Sequence, residues 1–197
     1  MHASSRLRMG DIQGVFRLVQ ECRECWADAD AWHAHLLGGM SQLTGLAVGM
    51  YFEQRLSADR RSVTFLGTAD RGWRDATARS RFMRLFDDHP DLVRFLPGCA
   101  RLASAACDSR SDTTGTTDTT ALRPQISPDR QWYASRVFND YHRTAGIDGY
   151  VFSCAPSGRS DMQVTLFACQ DAADAAPTAR ARAIVALLNH QLAPLTG

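Results

Sequence analysis

The cysteines and histidines of this 197-residue chain, six of each, are its side chains best suited to bind metal, act as nucleophiles or carry redox chemistry. Cys22-x-x-Cys25 with His33 and His35 gives four potential zinc ligands within fourteen residues. Structural zinc pairs sit on knuckles or turns, with a second pair spaced to match. Here both cysteines fall inside a strong helical pattern, and the two histidines, two apart, point to different faces of a helix. A thioredoxin-type pair opens a helix after a strand, where the helix dipole lowers the thiol pKa; no strand precedes this one. The pair therefore reads as helix packing. Cys99, Cys107 and Cys154 are candidate nucleophiles for a histidine base, and His142 or Cys154 is a candidate haem ligand. Asp87-Asp88-His89 reads as a solvated helix end. There is no glycine-rich phosphate loop, Gly-x-Ser-x-Gly elbow or His-Glu-x-x-His motif. The sequence names no cofactor.

A different chemistry is suggested by residues 132–148, Trp-Tyr-Ala-Ser-Arg-Val-Phe-Asn-Asp-Tyr-His-Arg-Thr-Ala-Gly-Ile-Asp, with four aromatics in their first ten positions. Aromatic bodies beside a few aimed polar groups are what a small-molecule pocket needs, since burial supplies affinity and polar tips fix orientation. The alternative is an amphipathic helix whose aromatics fill the core. Arg143 could clamp a carboxylate or phosphate of a ligand, or it could compensate the helix C-terminal dipole.

The segment also resembles the "WY-S-x-F-N-D-Y-x-R-x-A-G-x-D" stretch of the N-terminal sensor domains of a group of bacterial LuxR-type helix-turn-helix regulators, domains described as GAF-like. The likeness extends to residues 11–45, including Arg17-Leu18-Val19 and Trp32-His33-Ala34-His35-Leu36-Leu37, and to the last helix through Leu187-Leu188-Asn189-His190-Gln191-Leu192-Ala193-Pro194-Leu195-Thr196-Gly197. Residues 70–120 carry little of it. The resemblance implies a non-enzymatic, cytoplasmic ligand sensor that regulates transcription through a helix-turn-helix domain following the last helix. That domain is absent from this sequence, which reads as an excised or stand-alone sensor without direct DNA contact. Homodimerisation through the terminal helices would fit such a sensor. The Ile184, Leu188, Leu192 stripe could serve as its seam, or could pack on the domain's own sheet. The candidate ligand-binding residues are Tyr51, Phe65, Trp132, Phe138, Tyr141, Arg143 and Phe152, the strand members depending on a choice of sheet face. The rival readings are a ligand-free dimerisation module and a small thiol- or metal-dependent redox sensor or enzyme.

The elements that must position these residues follow from periodicity. Ile12, Val15, Phe16, Val19, Cys22 and Trp26 recur at helical spacing over 11–28, with Asp11 as the expected N-cap. A second helix is expected from Asp30, as its cap, to Leu43, closed by Gly45. Residues 46–55 and 62–69 form a hairpin pattern, with Val48, Met50 and Phe52 on one face and Tyr51 on the other. A helix over 75–88 ends before Pro90. Residues 109–120, rich in Ser, Thr and Asp, predict an exposed mobile loop. A short strand at 121–126 and one helix over 128–143, with Pro128 at its first position, come next. The strongest hairpin pairs 147–155 with 162–169, and a last helix covers 178–192.

Hairpins interleaved with helices imply the α+β class. Together with the resemblance, this gives a GAF/PAS-like domain over 1–197, with a central antiparallel sheet, terminal helices on one face and a pocket-covering helix on the other. The net charge of +1 supplies no basic field for nucleic acid. All 22 basic residues are Arg, from which no function follows. The N-terminus lacks an apolar signal core, and no apolar run approaches membrane-spanning length. Six cysteines in a cytoplasmic chain read as reduced thiols.

Overall fold

The computed structural model describes residues 7–57, 63–88, 98–99, 101–102, 105, 119–155, 162–170 and 176–192. Two helices, α1 (Met9–Glu24) and α2 (Ala29–Thr44), precede the hairpin β1 (Val48–Leu56) and β2 (Val63–Arg71), followed by α3 (Ala76–Asp88). Then come β3 (Thr120–Leu122), α4 (Arg123–Ile126) and α5 (Asp129–Ala134), a π-helical turn (Val137–His142) and a 3-10 turn (Arg143–Ala145). The hairpin β4 (Ile147–Ala155) and β5 (Met162–Gln170) and the helix α6 (Ala179–Leu192) complete the order. The five strands form one antiparallel sheet in the order β2-β1-β5-β4-β3. This is the α+β class, with an antiparallel sheet covered by helices on both faces.

Strand alternation sends side chains to two separate cores. Val48, Met50, Phe52, Tyr150, Phe152, Cys154, Val164 and Leu166 face α3 and the aromatic segment. Tyr51, Val151, Phe167 and Cys169 face α1, α2 and α6. Ile184, Leu188 and Leu192 are spent on that second core, each 2% exposed or less. A buried polar seam also ties α6 to the sheet. Ser153 Oγ shares a 2.5 Å hydrogen bond with Thr120 Oγ1 and accepts another from Asn189 Nδ2, while Arg182 Nε donates to the Thr120 carbonyl at 2.8 Å.

Several local expectations change. Asp11 is the third residue of α1 and not its cap; its carboxylate accepts the Arg8 N–H at 2.9 Å and pairs with Arg180 of α6. That pairing turns Asp11, Val15, Leu18 and Cys22 inward and leaves Phe16 49% exposed. Trp26, beyond the end of α1, is also exposed. Asp28, not Asp30, caps α2 by accepting from Ala31 N–H at 3.0 Å, and Gly45 closes it at φ 74° as expected. The strand expected at 121–126 stops at Leu122 and becomes the single helical turn α4.

The expected helix over 128–143 is broken. Ser135 is extended at φ −80°, ψ 148°. Its hydroxyl donates to the Trp132 carbonyl at 2.7 Å and accepts from Phe138 N–H at 3.1 Å, ending one helix and capping the next. Asn139 Nδ2 bridges the carbonyls of Tyr133 and Ser135, each at 2.9 Å, and fixes the break. Of the expected Ser/Thr-rich loop, 109–118 lie outside the described residues, and Thr120 opens β3. Residues 89–90, Cys107 and the 156–159 turn also lie outside them.

Candidate functional site

The layer between the sheet and α3 is a continuous run of rings. Phe65 on β2 meets Phe52 on β1 (centroids 5.8 Å) and Phe86 on α3 (5.1 Å), and Phe86 meets Phe82 at 5.8 Å. Phe82 meets His142 at 4.9 Å, edge to face. His142 in turn touches Trp132 (4.8 Å) and Tyr150 (5.6 Å), and Trp132 touches Phe138 (5.4 Å) and Tyr150 (5.8 Å). Such contacts are worth about 0.5–1.5 kcal/mol per pair beyond the area they bury. The break at Ser135 makes this possible, because it lets Trp132 and His142 approach from two helical axes and meet.

His142 is the anomaly of the layer. It is 2% exposed, and its Nδ1 has no hydrogen-bond partner. Burial among rings pushes its pKa down to about 3, so the imidazole is neutral at physiological pH. A buried polar atom left unbonded costs folding energy and is rare in native structures. Around this centre, Trp132 Nε1 donates to Asp148 Oδ1 at 3.2 Å and Tyr141 O–H donates to Asp88 Oδ2 at 2.9 Å. Burial raises the Tyr141 hydroxyl pKa.

Of the expected site residues, Trp132, Phe138, Tyr141 and Phe152 lie together in this layer, with Phe65 packed at its edge. Tyr51 does not join them. It lies across the sheet, against Trp32 (5.5 Å) and His33 (4.6 Å), its hydroxyl donating to Glu53 at 3.3 Å. A bulge in β2 separates Tyr51 from Phe65: Glu53 pairs with Gly67 but Gln54 with Phe65, so Leu66 is extra and the face inverts. Arg143 is exposed on the 3-10 turn, outside the layer. Phe82, Phe86, Tyr150 and the burial of His142 escaped the sequence reading. The Tyr150-Phe152-Cys154 alternation was the signal for the strand members.

Among the described residues, the cysteine and histidine positions are dispersed. Cys22 is fully buried and burial pushes its thiol up to about 12, while Cys25 Sγ donates to the carbonyls of Glu21 and Cys22. His33 lies against Trp32 and Tyr51, and His35 bonds Glu21 at 2.8 Å. Burial also pushes the Cys99 thiol up to about 12, which disfavours the thiolate that a nucleophile needs. Cys154 faces the aromatic layer. Among the described residues, no three His, Cys, Asp or Glu side chains gather as a metal site. Nor is any helix among them long and apolar enough to cross a membrane.

No protein-family model matches the chain, and no curated protein matches it. Among solved structures it is similar to the crystal structure of the N-acylhomoserine lactone dependent LuxR family transcription factor CepR2 from Burkholderia cenocepacia. The similarity has a TM-score of 0.54 at 12% identity, over 93% of this chain and 91% of that one. At that identity it establishes a shared fold, and the LuxR-type resemblance carried by residues 132–148 agrees with that fold.

Proposed function

We propose that this chain is a ligand-sensing regulatory domain that binds a small molecule in the aromatic layer between the sheet and α3. The observation that carries this reading is His142, a neutral, buried ring whose Nδ1 lacks a partner amid Phe82, Trp132 and Tyr150. A hydrogen-bonding group of a bound molecule would satisfy that atom, while the rings supply apolar contact. The fold shared with a ligand-dependent transcription factor supports the reading.

In the full proposal the domain is cytoplasmic and non-catalytic, and couples through its terminal helices to a DNA-binding domain. Ligand can shift such an output only by binding one of two conformations better. The seam of a homodimer would have to use exposed α1 residues such as Met9 (68% exposed) and Phe16, since Ile184, Leu188 and Leu192 are buried in the domain itself. N-acylhomoserine lactones, the ligand class named for CepR2, are the first to test.

The test is native mass spectrometry of the protein purified from cells, followed by titration of N-octanoyl homoserine lactone with tryptophan fluorescence. A mass excess lost on denaturation, or saturable quenching abolished in Trp132→Ala plus Tyr141→Ala with the fold retained, is the expected result. A bare mass together with no response to the lactone would leave the dimerisation module as the better reading.

A further inference from the structure

We propose a second small-molecule site outside the aromatic layer: a cleft at the Arg123 end of the sheet that holds an amphoteric ligand, chemically an α-amino acid, with its carboxylate on Arg123 and its ammonium on Asp148. The cleft encloses about 330 Å³, at the small end of metabolite pockets. Arg123, Pro124, Tyr133, Asp148, Gly149 and Pro177 are among its walls.

The opening has a structural cause. Ile147 pairs with Gln170 and Tyr150 with Ala168, so Asp148 and Gly149 together stand opposite the single residue Cys169. Such a bulge bends the strand and re-aims its side chains. Here it turns Asp148 back toward the aromatic segment, where its two oxygens accept from Trp132 Nε1 and from Tyr133 O–H at 3.0 Å. A Cβ on Gly149 would lie 2.6 Å from Pro177 Cδ, so glycine is what lets the chain before α6 close one side of the cleft.

Arg123 supplies the cation. It is 6% exposed and lies with its guanidinium 5.8 Å from the Trp132 ring centre and 5.6 Å from that of Tyr133. Nη1 makes both of its ordinary bonds, to Asp129 at 2.6 Å and to the Ser127 carbonyl at 3.3 Å. Nε, on the other edge of the fork, has no partner. That edge is the one that grips a carboxylate through two parallel N–H bonds. Asp129 and the Ser127 carbonyl already answer Nη1, so Nε is the atom left for an acceptor from the ligand.

The charges select the ligand class. A simple anion would satisfy Nε but face the Asp148 carboxylate, and a simple cation would pair with Asp148 but leave Nε unbonded. A molecule bearing both charges answers both. Tyr133, 44% exposed, with Pro124 and Pro177, offers apolar surface for the rest of it. This site stands independently of the sensing pocket, although Tyr150 lines the cleft and also touches His142.

The experiment is a titration of the 15N-labelled chain with L-leucine and L-phenylalanine at millimolar concentration, following the Arg123 Nε–H and the amides of Asp148 and Gly149 by NMR. Saturable shifts at those groups are expected with at least one amino acid. Binding should weaken at least about tenfold for its N-acetyl and its amide derivatives, each of which removes one charge-assisted bond. Arg123→Lys should weaken binding comparably; Asp148→Asn, whose amide oxygen still accepts from Trp132 while its NH2 can donate to the Tyr133 oxygen, covers the case in which the arginine variant fails to fold. Absence of saturable shifts, equal binding by the charge-blocked derivatives, or shifts confined to His142 and Phe82 would overturn the assignment.

Discussion

Folding and the proposed sensing role make opposite demands on His142, and His142→Phe separates them. In the free protein Nδ1 is buried without a partner, a defect worth about 1–3 kcal/mol. Phenylalanine fills nearly the same space and keeps the ring contacts to Phe82, Trp132 and Tyr150. The variant should therefore be more stable than the parent at neutral pH, by roughly 1–2 kcal/mol, or about 2–8 °C in Tm for a chain of this size. Acid should widen the gap. The folded pKa of about 3 lies below the unfolded value near 6.5, so below pH 6.5 the unfolded chain binds a proton that the folded chain refuses. Parental stability is then present above the unfolded pKa and lost as pH falls toward the folded one. Between pH 7 and pH 4.5 that loss is roughly 2–3 kcal/mol from this group alone, and the variant escapes it. Urea unfolding of both proteins across that range measures the difference, in which the other titrating groups cancel. A variant less stable than the parent at pH 7, or a gap that stays constant on acidification, would refute the reasoning.

Asp11→Asn should cost about 1–2 kcal/mol at neutral pH, because it weakens the join between α1 and α6 that Asp11 makes through Arg180 Nε (3.0 Å) and Nη2. The Arg180 bond holds the Asp11 carboxyl below its usual pKa, so the contribution is present above about pH 4 and lost as pH falls below it; urea curves of the two proteins should converge in acid. Asn139→Ala removes both bonds that pin the break after α5 and should lower stability by about 1–2 kcal/mol, with altered near-ultraviolet circular dichroism from Trp132 and Tyr133. An unchanged spectrum would show that Ser135 alone holds the break. Gly72→Ala should destabilise by at least about 2 kcal/mol in a thermal melt, since residue 72 sits at φ 83° and a Cβ there would overlap the Ala47 carbonyl.

The strands and long helices were legible because burial leaves a period in the sequence. The alternation through Tyr150, Phe152 and Cys154 marks β4, and the spacing of Ile184, Leu188 and Leu192 marks α6. What periodicity cannot carry is an interruption of itself. The one-residue bulge at Leu66 inverts the face of β2, which is why Tyr51 and Phe65 fall into different cores. The break at Ser135 was hidden because its flanks are both helical, although Ser135 and Asn139 are residue types that bond local backbone in place of a helix ladder. Arg123, before Pro124, gave no sign of burial; its environment comes from Trp132, Tyr133 and Asp129, a helix further along the chain. The burial of His142 left no mark on the local sequence because it depends on α3, sixty residues earlier in the chain.

The polar seam beneath α6 sets how that helix can move. Ser153, fully buried, bonds both Thr120 and Asn189, and its neighbours Phe152 and Cys154 point the opposite way into the aromatic layer. Were α6 to slide by a residue or roll on the sheet, buried hydroxyl and amide groups would lose their bonds in a place water does not reach. A greasy contact surface would permit creep; this one behaves like a notch. The helix would either stay seated and travel with β4 as one piece or let go in a single step, so a displacement among the rings would reach α6 as a discrete event.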